Sequence, residues 1–226
     1  MIILSPNGHD YFRQAKILII DILSIDTDIL LWINGHYTEW LDTFMWYVSR
    51  SSTWIPLYVL LVGLIVWKYR NWKTVLLILL GFGVAVGLAD FTTSGIIKPL
   101  VCRLRPTHEP ALEGMVHLVN GYTGGLYGFC SSHAANTMAC GLLFSLLYKN
   151  KYATTGLMIW VALNCYSRMY LGVHYPGDIL CGLLIGALLA ALVYVVLARW
   201  VLTAWSPSGL QNSRHEDDGA ARLGGS

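Results

Sequence analysis

The chain alternates long apolar runs with short polar connections, and the run lengths decide what they can be. Residues 179–198 form an unbroken apolar run of 20 residues, long enough to cross a hydrocarbon core of about 30 Å. Four more runs, near residues 53–67, 74–97, 134–148 and 153–166, read as further spans. Gly182, Gly186 and Ala190 put small residues on one face of the last span, and Gly83 and Gly87 are spaced alike in the second; both patterns suit close helix packing. The run at residues 17–33 differs, because Asp21, Asp26 and Asp28 interrupt it. Each unpaired carboxylate near a bilayer centre costs about 2.5–3.5 kcal/mol on insertion scales. Asp21, Ser24 and Asp28 also share a helical face, so an amphipathic helix lying in the interface is expected there, with a short helix and turn over residues 34–52.

The expected fold is therefore an all-α integral membrane protein, a bundle of five transmembrane helices (six if residues 17–33 also cross). Its expected parts are N-terminal interfacial helices over residues 1–52, a membrane domain over 53–205, and a polar disordered tail over 206–226, read in part as an expression remnant. No cleavable leader is evident after Met1, so the spans are expected to direct insertion.

Composition agrees with a bilayer as solvent. Of 226 residues, 55% are hydrophobic and 12% charged, about half the charge of a typical soluble domain, and the mean hydropathy is +0.54. A net charge of +2 gives no reason to expect nucleic acid as a partner. The five cysteines show no metal-ligand spacing, and a Cys102–Cys130 disulfide stays open should both face an oxidising compartment.

Charge orders the loops. Lys68, Arg70, Lys73, Lys149, Lys151 and Arg199 fall on one side of the alternating spans, which the positive-inside rule makes cytoplasmic. Three polar clusters then share the other side. The first is Lys98 with Arg103 and Arg105, the second Ser131-Ser132-His133, the third Arg168 with His174 and Asp178. Lys98 and Arg105 can hold phosphate oxygens, one as a point charge and one as a fork, while Arg103 reads equally well as a side chain snorkelling to the headgroups. Ser131 opens a helix, whose free N–H groups make an anion site. His174 and Asp178 lie four apart, so the carboxylate can fix the imidazole tautomer and leave the other nitrogen free to attack. His108 and His117, in the glycine-rich stretch 107–129, read as solvated loop residues.

These clusters resemble the signature of the type 2 phosphatidic acid phosphatase superfamily. Lys98, six residues and then Arg105-Pro106 match its first element, Ser131 and His133 match half of its Pro-Ser-Gly-His, and Ser167-Arg168, His174 and Asp178 complete its third. The resemblance covers about residues 42–198, with Cys130 and Ser132 departing from the family's Pro and Gly. It implies a phosphatase that needs no cofactor or metal and works through a phosphohistidine. His174 would attack phosphorus, oriented by Asp178. His133 would protonate the leaving oxygen and then activate water. Lys98, Arg105, Ser131, Ser132 and Arg168 would bind the phosphoryl oxygens.

The expected substrate is a phosphorylated lipid at the outer face of a bacterial cytoplasmic membrane. Undecaprenyl diphosphate stands first, lipid A phosphate close behind, then phosphatidic acid or phosphatidylglycerophosphate. The same signature occurs in vanadium haloperoxidases, which are soluble, so the apolar runs argue against one here. A non-catalytic membrane protein that binds or transports anions is the alternative from another class.

Overall fold

In the computed structural model, which describes residues 8–204, the extended elements are helices: α1 (Gly8–Gly35), α2 (Glu39–Val48), α3 (Ile55–Tyr69), α4 (Trp72–Asp90), α5 (Lys98–Val101), α6 (Ser132–Tyr148), α7 (Lys151–Tyr170) and α8 (Pro176–Ala204). The tail expected over 206–226 lies outside the described residues. Among these residues, three segments are long and apolar enough to cross a membrane: Ser51–Tyr69, Trp72–Val101 and Pro176–Arg199. The expected spans at 134–148 and 153–166 are α6, most of which is enclosed, and α7, which keeps an exposed face with Tyr152 and Ile159. α6 has only 17 residues, and α7 carries Lys151, Asn164 and Arg168.

Local chemistry sets the helix ends. Asn71 and Asn150 cap α4 and α7, each side-chain oxygen accepting two backbone N–H groups, as N-caps do. Ser131 caps α6 by accepting from the Ala134 N–H. α4 runs through a π-helical stretch, Phe91–Ile97, into α5. That rod stops at Cys102, whose left-handed φ of 52° turns the chain sharply. Lys98 and Arg105 are therefore not aligned along two turns of one helix, as a regular continuation would have put them.

α6 is the centre of the bundle, packed against α4, α7 and α8. Its Ala134, Ala135, Ala139, Leu143 and Phe144 are fully buried. The expected small face of α8 is used there: a Cβ at Gly182 would strike the Ser131 carbonyl, and one at Gly186 the Ala135 carbonyl. Backbone contact this close brings the start of α8, with its acidic first turn, against the start of α6. Gly83 and Gly87 have no such neighbour, so their expected packing role is not realised.

α1 departs most from expectation. It has 28 residues, and its C-terminal half is built into the molecule, with Asp26, Leu30, Ile33 and Asn34 buried. The Asn34 amide donates to the carbonyls of Tyr170 at 2.7 Å and His117 at 3.0 Å, and accepts the His117 N–H at 2.7 Å. His117 is not a solvated loop residue: its ring stacks on Tyr37 and its Nε2 lies 2.9 Å from Asp42 Oδ2. These contacts tie α1, α2, the 107–129 loop and the end of α7 into one corner. Apolar side chains such as Leu18, Ile25 and Trp32 stay exposed on α1, an outer surface suited to lipid.

Candidate active site

The three clusters meet at one end of the bundle, where α5 ends, α6 and α8 begin, and α7 ends. The Lys98 ammonium donates to Ser132 Oγ at 2.7 Å, and Ser94 shares that hydroxyl at 2.7 Å. The Ser132 side chain is therefore engaged by Lys98 and Ser94, and its backbone N–H, in the first turn of α6, is the group left to meet an anion. The Ser131 N–H donates to the Asp178 carbonyl at 3.0 Å, joining the starts of α6 and α8.

Arg105 is buried. Its Nε donates to the Tyr127 carbonyl at 3.2 Å, while Nη1 has no partner among the described residues. Gly124 makes room for this guanidinium, since a Cβ there would strike Nη1 and its φ of 69° suits glycine. Arg168 is also buried; it donates to Ser49 Oγ and, at 3.3 Å, to the Tyr122 hydroxyl, and its Nε has no partner among the described residues. A buried N–H without an acceptor is costly, so two guanidiniums with free donors at one end of a membrane bundle form a site prepared for an anion. Burial pushes the Tyr122 phenol up, yet the charges of Arg168 and Arg105 outweigh it and leave the phenol below its ordinary value. The Tyr122 ring lies 5.7 Å from the Arg168 guanidinium.

His174 and Asp178 are almost wholly inaccessible to solvent. His174 Nδ1 lies 3.4 Å from Asp178 Oδ2, which also accepts the Tyr175 N–H at 3.1 Å. The long His–Asp separation is of the kind that tightens when substrate arrives, and it leaves Nε2 as the free nitrogen. The charges of Arg105, Arg168 and Lys98 reach His174. His133 Nε2 lies 3.2 Å from Asn164 Oδ1, and the Asn164 amide donates to the Trp160 carbonyl at 2.8 Å. An oxygen facing Nε2 assigns the proton to that nitrogen, which leaves Nδ1 for exchange.

Two residues of the site escape a reading of the sequence. Arg103 does not snorkel. Its guanidinium bridges Asp178 Oδ1 at 2.9 Å and Asp26 Oδ2 at 2.6 Å, and lies 3.9 Å over the Tyr175 ring. Asp26 comes from α1, and its other oxygen accepts the Gly177 N–H at 2.7 Å, capping α8 from outside. The carboxylate that seemed to forbid burial of the helix is the one that docks it. Asp90 turns to Ser94 and Asn136, and both Cys102 and Cys130 are free thiols, so no disulfide joins them.

Burial first, then the positive charges of Arg105, Arg168 and Lys98 and the neighbouring His133, hold His174 well below the ordinary imidazole value. The folded protein therefore binds that proton less readily than the unfolded chain. Its contribution to stability is complete above about pH 6.5, the unfolded value, and fades as pH falls from there toward the folded value. The unfolding midpoint in detergent is expected to drop between pH 7 and pH 5, and to drop less in His174→Asn. An equal drop in both proteins would contradict this.

A helical membrane domain that gathers fixed cations and an oriented imidazole where its apolar rods end is built to take phosphate from a molecule lying in the bilayer. The comparisons with known proteins agree. Residues 75–202 match the model of the PAP2 superfamily. The chain is 34% identical to the lipid A 4'-phosphatase of Bacteroides thetaiotaomicron over 78% of its own length and 79% of that protein. It is 33% identical to the lipid A 4'-phosphatase of Porphyromonas gingivalis, over 80% and 78%. A transmembrane PAP2 type phosphatidylglycerolphosphate phosphatase of Bacillus subtilis superposes with a TM-score of 0.56 at 26% identity, covering 76% of this chain and 84% of the other. The chain belongs to the PAP2 superfamily, and it is a membrane lipid phosphatase.

Proposed function

We propose that this phosphatase hydrolyses a phosphate monoester of lipid A, the 4'-phosphate first among them, at the extracytoplasmic face of a bacterial inner membrane. The order of substrates expected from the sequence is corrected here: both relatives above act by name on lipid A, while an undecaprenyl-diphosphatase is a weaker match at 26% identity. The proposed topology keeps five spans, α3, α4 with α5, α6, α7 and α8, with α1 and α2 at the outer interface. Lys68 supports this sense of insertion. It reaches the Leu147 and Tyr148 carbonyls at the far end of α6, so the basic end of the bundle lies opposite the site.

The single observation that carries the reading is His174, buried among three cations with Nδ1 turned to Asp178 and Nε2 free. In the proposed reaction Nε2 attacks phosphorus, and the bond from phosphorus to the lipid oxygen breaks. His133 enters as an imidazolium, its Nε2 proton held by Asn164, and gives that oxygen its second proton, from Nδ1. Water then attacks the phosphohistidine, passing a proton to His133, and inorganic phosphate leaves. Lys98, Arg105 and Arg168 hold the phosphoryl oxygens while charge builds on them, with the Ser132 N–H and the Ser131 hydroxyl at the start of α6. Ser131 keeps its capping bond at 3.4 Å, weak enough to be given up to an anion. Arg103 and Asp26 act through Asp178: the fork keeps one carboxylate oxygen fixed so that the other faces His174.

Fixed lysine and arginine cations do here what a divalent ion does elsewhere, so turnover is expected to continue in EDTA. The test is the purified protein in detergent, with chelator, offered lipid A, undecaprenyl diphosphate, phosphatidic acid and phosphatidylglycerophosphate, and phosphate release measured for each. Lipid A is expected to show the highest kcat/KM. A higher value on undecaprenyl diphosphate, or activity that EDTA abolishes and a divalent ion restores, would overturn the reading.

A further inference from the structure

Next to the cations lies a cavity of about 240 Å³ lined by Trp46, Ser49, Arg50, Tyr122, Arg168 and Leu171. It forms where the end of α2, the 107–129 loop and the end of α7 meet. None of the steps proposed above needs Trp46 or Arg50. Two of its walls belong to the phosphate site as well: Arg168 is one of the proposed oxygen ligands, and the Tyr122 hydroxyl accepts from it at 3.3 Å with the ring 5.7 Å from the guanidinium. A group attached to a phosphate held by these cations would therefore project along this wall.

The lining has a definite chemistry. The Trp46 and Tyr122 rings meet edge to face, 5.6 Å apart at 77°, and present two apolar faces at an angle. Arg50 lies over the Trp46 ring at 5.3 Å, which holds its planar head at the cavity edge. It is exposed and has no carboxylate partner among the described residues. Ser49 adds a hydroxyl, already bonded to Arg168. A fatty chain would gain nothing from two guanidiniums, and a bare phosphate would not need two aromatic faces. A sugar ring uses both, since its C–H face rests on aromatic carbon while its rim carries hydroxyl or anionic groups for a guanidinium fork.

We propose that this cavity is a headgroup subsite that receives the sugar ring bearing the scissile phosphate, with Trp46 and Tyr122 against the ring and Arg50 on its polar rim. The proposal rests on the lipid-phosphatase reading above and adds how the headgroup is chosen. A glycerol phosphate carries no ring, so it would fill the cation site and leave this cavity empty. Binding by Arg50 and Trp46 would act alike on ground and transition states, and so would appear in KM.

The test compares Arg50→Gln and Trp46→Leu with the parent in mixed micelles, on lipid A and on phosphatidic acid, the latter as substrate or as competing ligand. Arg50→Gln alters an exposed side chain and so tests the subsite even if Trp46→Leu, which loses packing between α2 and α7, folds poorly. For each variant the KM on lipid A is expected to rise about tenfold with kcat changed less than about twofold. The affinity for phosphatidic acid is expected to stay within about twofold of the parent. Equal losses on both lipids, or no loss on lipid A with Arg50→Gln, would overturn the subsite. A parent that hydrolyses phosphatidic acid and not lipid A would instead refute the substrate proposed above, and the sugar subsite with it.

Discussion

Replacing His174 by alanine is expected to lower phosphate release by roughly 10⁴-fold or more, the scale seen when an attacking side chain is removed. The loss should appear in kcat, while the lipid still binds, because Lys98, Arg105 and Arg168 remain to hold the phosphoryl group. His174→Ala is also expected to fold, since the excised ring leaves a site already built for a polar guest. A variant releasing phosphate at the parent rate would remove His174 from the chemistry. One that no longer binds lipid phosphate would make it part of the binding site instead.

The second large effect is expected at Arg103. Its fork neutralises Asp178, which is fully buried, and Asp26, which is nearly so. Arg103→Ala strands both carboxylates, and breaking a buried pair in this way costs about 3–5 kcal/mol. A lower unfolding midpoint and a severe loss of kcat are expected together. Asp26→Asn separates the two effects. It keeps the shape of the side chain but returns the whole Arg103 charge to Asp178, drawing that carboxylate away from His174. A fall in kcat of about tenfold with KM nearly unchanged is expected. Arg103→Lys should not restore the parent rate, because an ammonium cannot span two carboxylates as a fork does. Full activity in Asp26→Asn would reduce the α1 contact to a structural one.

What the sequence made legible was local. Lys98 with Arg105, and His174 with Asp178, can be found by counting residues, because short spacing at the end of an apolar run limits where a side chain can go. Gly182 and Gly186 were legible for the same reason, as a repeat on one helical face. Arg103 and Asp26 were not, being 77 residues apart and joined only by the packing of α1 across the start of α8. Taken singly, each obeys a rule that hides it: an arginine at a span end snorkels, and an aspartate on an interfacial helix faces water. The rules fail together because the two charges cancel. Asn164 and Ser49 were hidden likewise, since a neutral side chain gives no signal until it is seen against His133 or Arg168. Gly83 and Gly87 show the converse error, a spacing that suits close packing at positions where none of the described residues comes within 4 Å of an added Cβ.

A covalent bond between phosphorus and His174 is the central step of the proposed reaction. The direct measurement is to mix the purified protein with phosphate-labelled lipid A, quench within the first turnover, and map the labelled peptide. The label is expected on the peptide containing His174, lost in acid and stable in base, as a phosphoramidate behaves, and absent from His174→Ala. Hydrolysis without any trapped label on a histidine, or with label carried by Ser131 or Asp178, would contradict it.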